Sequence, residues 1–208
     1  MYRLLLTIGL LLPGLWPAMA TAVELHEGDL LFVTAGRSSL SAAIDDATGK
    51  RCAPSFDHVA LVASAPQGWD VLHADEQGSR RQALAEFRQD ARARQRQIVV
   101  YRLRAPWRHT IADAVATART LLGKPYNASY VLNEDSYYCS DFIERAFRAH
   151  HVFKLQPMNF RNPQTGGIAQ HWVDLYRGMG MEVPQGLPGT NPNDMSAAPV
   201  LQRIGELE

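Results

Sequence analysis

Cys139 is the residue of this 208-residue chain whose type and setting point most directly to chemistry. It follows Leu122-Gly123-Lys124-Pro125-Tyr126 and stands in Tyr138-Cys139-Ser140-Asp141-Phe142-Ile143. Gly123 and Pro125 stop one helical pattern, and the apolar spacing of Phe142, Ile143, Ala146 and Phe147 starts another, so the thiol sits at the mouth of a helix. Unpaired N–H groups and the dipole at a helix N-terminus favour negative charge, which predicts a thiol pKa drawn from about 8.5 toward neutral. A sulfur nucleophile then needs a base and a group that orients it. His58 opens the apolar run His58 to Ala63, and His73 lies in Trp69 to Ala74, with Pro66-Gln67-Gly68 as the turn between them. Two paired strands would therefore present two imidazoles on a rigid platform. The chemistry that fits is acyl transfer to water: Cys139 attacks a carbonyl, His58 moves the proton, and His73 fixes the tautomer of His58.

The remaining elements must hold these groups. Gly28-Asp29 leads into a short strand, Leu30 to Val33, and Ser38 to Thr48 reads as a helix closed by Gly49. Arg81 to Arg96 is a charged helix with a stripe at Leu84 and Phe87, Ile98 to Leu103 is a strand, and Ile111 to Leu122 is an amphipathic helix. From Pro157 onward Pro, Gly and Asn dominate and only Ile168 to Tyr176 looks regular, which predicts loops laid over a core spanning about 28–148.

Met1-Tyr2-Arg3 is a positive flank, Leu4 to Leu15 is a short apolar run, and Ala18-Met19-Ala20 has the small-x-small form of a cleavage site. Residues 1–20 are thus expected to be a cleavable signal peptide and 21–208 a single exported domain, periplasmic or secreted. No later apolar run approaches the roughly 20 residues of a membrane span. Lysine plus arginine balance aspartate plus glutamate at 21 each, and the arginines are scattered, so nothing points to nucleic acid. His109, His150, His151 and His171 lack metal-ligand spacing, and neither metal nor cofactor is expected.

These motifs together resemble the NlpC-type branch of the papain-like superfamily, in which Gly-x-Pro-Tyr precedes a Cys-Ser helix start. Here Gly123-Lys124-Pro125-Tyr126 and Cys139-Ser140 match it, with His58-Val59-Ala60-Leu61 and His73-Ala74 in place of the family's His-Val-Gly-Ile and His-Ala strands. Because both histidines precede Cys139, the chain is similar to the circularly permuted YaeF/YiiX-like amidases, whose opening Gly-Asp strand resembles Gly28-Asp29. The resemblance implies an α+β papain-like fold, with the Cys139 helix packed on an antiparallel sheet bearing His58 and His73. It further implies that Tyr126 lines the substrate and oxyanion region, with the Cys139 N–H as one oxyanion donor. Two departures stand out: the permuted members commonly carry an acidic residue where His73 stands, and Asp141 replaces the usual Gly or Glu after the serine.

The implied function is an exported cysteine amidase or peptidase, with a small peptide, an acyl amide or a lipid as substrate, and a cell-wall peptide as one case. Two other readings remain: a lipid-directed thiol acyl hydrolase or acyltransferase, and a non-catalytic binding module held by a Cys52–Cys139 disulfide, since these are the chain's two cysteines. Between catalysis and a bridge lies a reversible bond in which Cys52 acts as redox partner and silences Cys139.

Overall fold

The computed structural model describes residues 23–49 and 54–207. The expected signal peptide and Cys52 lie outside the described residues. In chain order the elements are β1 (Leu30–Thr34), α1 (Ser39–Thr48), β2 (Phe56–Ala65), β3 (Gly68–Asp75), β4 (Gly78–Ala83), α2 (Leu84–Ala93), β5 (Ile98–Leu103), α3 (Ile111–Thr120), α4 (Cys139–Phe147), β6 (Gln156–Asn159), α5 (Gln170–Gly178), β7 (Gln185–Gly189), α6 (Pro192–Ser196) and β8 (Leu201–Leu207).

Six strands form one sheet in the order β4-β3-β2-β1-β5-β8, antiparallel at every step. Its central strands are continuously apolar because both faces are covered, unlike the one-sided alternation usual for antiparallel sheets. Leu30, Phe32, Val59, Leu61 and Leu72 pack with Phe142, Ile143 and Ala146 of α4 and with Ala114 and Ala118 of α3. The intervening residues Leu31, Val33, Ala60, Val62 and Val71 pack on the other face with Phe87 and Ala91 of α2. Helix α4 packs on the first of these faces and is buried along its whole length. Its charged members are therefore paired: Arg145 Nε donates to Asp141 at 2.7 Å, and Arg148 pairs with Glu144.

Two glycines are required where they stand. Gly28 has φ +85°, and a Cβ there would meet the Ile111 side chain at 2.5 Å, so no other residue lets α3 approach the start of β1. Gly78, at φ +95°, lets the β3–β4 turn lie against the Lys124 carbonyl. Beside Gly28, the buried Asp29 accepts both Nε and Nη2 of Arg102, at 2.7 and 2.8 Å, tying β1 to β5.

Two expectations are corrected. Residues 81–83 belong to β4 and not to a helix, because Arg80 and Arg81 pair with His73 and Leu72 of β3. Residues 156–207 are not loops over a finished core: β8 pairs with β5 as an edge of the main sheet, β6 and β7 form a second sheet, and α5 and α6 are regular. Gly186, Pro188 and Gly189 lie inside β7, and the turn residues that punctuate this region concealed its strands from a pattern search.

Candidate active site

Cys139 is the first residue of α4, and the residue before it, Tyr138, is extended (φ −101°, ψ 168°) and offers no side-chain cap. The first N–H groups of the helix are thus left for another acceptor. The N–H groups of Ser140 and Cys139 there, with that of Val59 on β2, favour the anion of the Cys139 thiol. In the resting structure the sulfur lies 3.9 Å from the Asp57 carbonyl, over the β2 backbone on either side of His58. Burial outweighs the N–H groups and pushes the thiol up to about 11. Burial thus works against the expected thiolate, because a helix terminus supplies about half a charge whereas the site withholds solvent from a whole one.

His58 and His73 are joined by a hydrogen bond, His58 Nε2 to His73 Nδ1 at 3.0 Å. Their rings stand edge to face at 5.2 Å between centroids and both rest against Phe87 of α2. Burial holds His58 down to about 4 and His73 to about 3, with Asp75 pulling both the other way, so both are neutral near pH 7. Asp75 itself is claimed by Arg80, which donates to it from Nε at 3.0 Å and Nη2 at 2.6 Å. No hydrogen bond joins the Cys139 sulfur to the His58 ring, whose free nitrogen is Nδ1. For Nδ1 to accept a proton, Nε2 must carry the ring's own proton and donate it to His73, which leaves His73 protonated at Nε2. That buried Nε2 has no partner among the described residues.

Tyr126 reaches the site because the segment before it is clamped to the sheet. Ser79 of β4 bonds Gly123 and Lys124 through its backbone and receives the Lys124 N–H on its hydroxyl at 2.9 Å. Tyr126 then bridges Tyr137 alongside the start of α4. Arg145 holds the rest of the loop, donating to the Asn133 carbonyl at 2.7 Å and to Glu134 at 2.8 Å. Burial raises the Tyr126 hydroxyl well above its usual value, so it is a neutral donor.

Cys139, Ser140 and Tyr126 form part of the wall of a cavity of about 1040 Å³ whose remaining lining includes Leu40, Ile44, Tyr130, Phe160 and Trp172. Four features here escaped the sequence reading. Tyr130 is held at φ +53° with its ring edge-on to Tyr138 and Trp172. Thr190, after β7, donates its N–H to the Tyr138 hydroxyl and its hydroxyl bonds Ser140 at 2.9 Å. Asn193 of α6 accepts the Phe56 N–H at 2.8 Å. Asp57, whose carbonyl faces the sulfur, pairs through its carboxylate with Arg96. Only Asp57, adjacent to His58, carried a local signal.

Residues 24–205 match the model of the permuted papain-like amidase enzymes, YaeF/YiiX, C92 family. The chain belongs to that family, a family of cysteine peptidases and amidases. Among solved structures it is similar to one described as metalloprotein yiiX from Escherichia coli O157:H7, at 22% identity and a TM-score of 0.68 over 86% of this chain and 96% of that one. No curated protein matches. Among the described residues no group of three or more His, Cys, Asp or Glu is placed to hold a metal ion, and no helix is long and apolar enough to cross a membrane.

Proposed function

We propose that the chain is an exported cysteine amidase that cleaves an amide bond through a thioester on Cys139. The observation that carries this is the position of the thiol, on the first turn of α4, 3.9 Å from the β2 backbone beside His58 and in the wall of a cavity large enough for a substrate. The sulfur's proton passes to His58 Nδ1 as the sulfur bonds to the carbonyl carbon. The oxyanion is received by the Cys139 N–H and the Tyr126 hydroxyl, and such a donor is typically worth a few kcal/mol of barrier. His58 returns the proton to the leaving amine. Water then attacks the thioester, losing its proton to His58, and the acid departs with the thiol restored. A neutral thiol and a neutral imidazole are the resting state, so proton transfer accompanies attack, and the sulfur–imidazole bond absent at rest forms in the substrate complex. His73 orients His58 throughout.

For the acyl side, the exported location expected from residues 1–20 supports a cell-wall peptide. The aromatic and aliphatic cavity lining supports the second reading, a lipid-directed acyl hydrolase, because the carboxylates of a peptide would enter a wall with few free cations. Incubating the mature protein with muropeptides, acyl amino acids and phospholipids separates them. Turnover of at least one class that disappears in Cys139→Ala is expected. Unchanged turnover in Cys139→Ala defeats the mechanism.

A further inference from the structure

The strand that carries His58 is not regular at the point where the sulfur meets it. Val33 pairs with His58 and Thr34 with Phe56, so Asp57 is an extra residue in β2, a bulge. Its carbonyl receives the thiol, while its carboxylate turns into the protein. There it accepts the Ser41 hydroxyl at 2.5 Å and the Gly36 N–H at 3.2 Å, and pairs with the Arg96 guanidinium. Arg96 comes from the tight connection between α2 and β5, where Gln95 has φ +55°, and its Nε donates to the Thr34 carbonyl at 2.7 Å. The two side chains are only 14% and 9% exposed. A buried ion pair is weak support for stability, since desolvation of both charges offsets most of their attraction. This one is built around the backbone that brackets the sulfur, and the Arg96 charge lies within electrostatic reach of it.

Resting on the reading of Cys139 as nucleophile, we propose that Asp57 and Arg96 are positioning residues for the thiol. Their pairing fixes the β2 bulge so that the Val59 N–H faces the sulfur, and Arg96 supplies the fixed positive charge that stabilises the thiolate as it forms. Neither residue touches the reacting carbonyl. Among the other ionisable groups, Tyr126 and Tyr130 in the loop before α4 and Tyr138 at its start feel the charge of the sulfur, while Glu76 in the β3–β4 turn acts on His58, Tyr126 and Tyr130, and Asp141 acts on Tyr138. Asp194 of α6 lies across the cavity. Arg96 is the cation that acts on the sulfur.

The two partners therefore have opposite effects. Removing Arg96 leaves the Asp57 carboxylate uncompensated near the sulfur and disfavours the thiolate. Neutralising Asp57 leaves the Arg96 charge unopposed and favours it.

The test is the pH profile of iodoacetamide alkylation of Cys139 in a Cys52→Ser background, read by mass, for the parent, Arg96→Met, Arg96→Lys and Asp57→Asn. Arg96→Met is expected to move the midpoint upward and slow alkylation at pH 8 about tenfold, the equivalent of one pH unit. Arg96→Lys should recover most of the rate. Asp57→Asn, close in size and still hydrogen-bonding, should move the midpoint downward and speed alkylation severalfold. Equal midpoints in all four proteins, or upward movement in both Arg96→Met and Asp57→Asn, overturns the proposal. If Arg96→Met does not fold, the downward movement in Asp57→Asn decides it. The midpoint is read without substrate, so its outcome is separate from the loss of turnover in Cys139→Ala that tests the amidase reading.

Discussion

Acid should unfold this protein through its histidine pair, and the effect can be isolated with one substitution. Burial lowers His58 from 6.5 to about 4 and His73 to about 3. In the unfolded chain each histidine takes up a proton near pH 6.5, whereas in the folded chain neither does until well below. The unfolded state thus binds more protons across the window from about 6.5 to about 4, and stability falls as pH falls through it. With 6.5 and about 4 as the two values, His58 alone costs about 2 kcal/mol of stability between pH 7 and pH 5. His73 acts with the same sign. Asp141 acts with the opposite sign: burial raises it to about 6, so its burden on the fold is relieved as it protonates over the same range. The clean quantity is therefore a difference. Urea unfolding at pH 7 and pH 5 should show that the parent loses about 2 kcal/mol more than His58→Gln, because the Asp141 contribution cancels between them. Equal losses in the two proteins would mean that His58 is not held neutral by the fold, and the argument from burial would fail.

Arg145→Ala strands the Asp141 carboxylate and frees the Asn133–Glu134 loop. Urea unfolding should register a loss of about 3–5 kcal/mol at pH 7 that shrinks as the pH falls toward 6, because Asp141 without Arg145 takes up its proton at a higher pH than in the parent. Trp172→Ala empties the wall shared with Phe160 and Tyr130 and deletes the indole bond to the Ala43 carbonyl. A loss of about 3–5 kcal/mol is expected in the same assay. Tyr126→Phe keeps the ring and removes the hydroxyl, and steady-state kinetics should show kcat reduced about a hundredfold with KM little changed. A change confined to KM would make Tyr126 a binding contact.

Apart from β4, whose residues Arg81 to Ala83 read as the start of a charged helix, the order of elements through α4 was legible because its signals are local. Ser38 caps α1 with its own hydroxyl, Gly49 ends that helix at φ +67°, and the runs at Leu30, His58 and Ile98 are too short and too apolar to be anything but buried strands. The site was legible only in its named parts. That His58 and His73 lie on adjacent strands follows from one turn, but the direction of the rings depends on which face Phe87 covers, which no local pattern states. Of the two influences on the thiol, the helix terminus is visible in sequence and the depth of burial is not. Arg96 was lost among the arginines between Arg80 and Arg108, since only the fold brings it to Asp57. The C-terminal third was least legible. Its last strand, β8, pairs with β5 about a hundred residues away, and Thr190 reaches Tyr138 and Ser140 across 52 and 50 residues and Asn193 reaches Phe56 across 137.

The central claim is that Cys139 carries the acyl group. Rapid quenching of the Cys52→Ser protein during turnover of an activated acyl substrate, followed by peptide mass mapping, tests it directly. The account predicts the acyl mass on the peptide containing Cys139, removed by hydroxylamine and absent in Cys139→Ala. Acylation of another residue, or turnover that persists in Cys139→Ala, would contradict it.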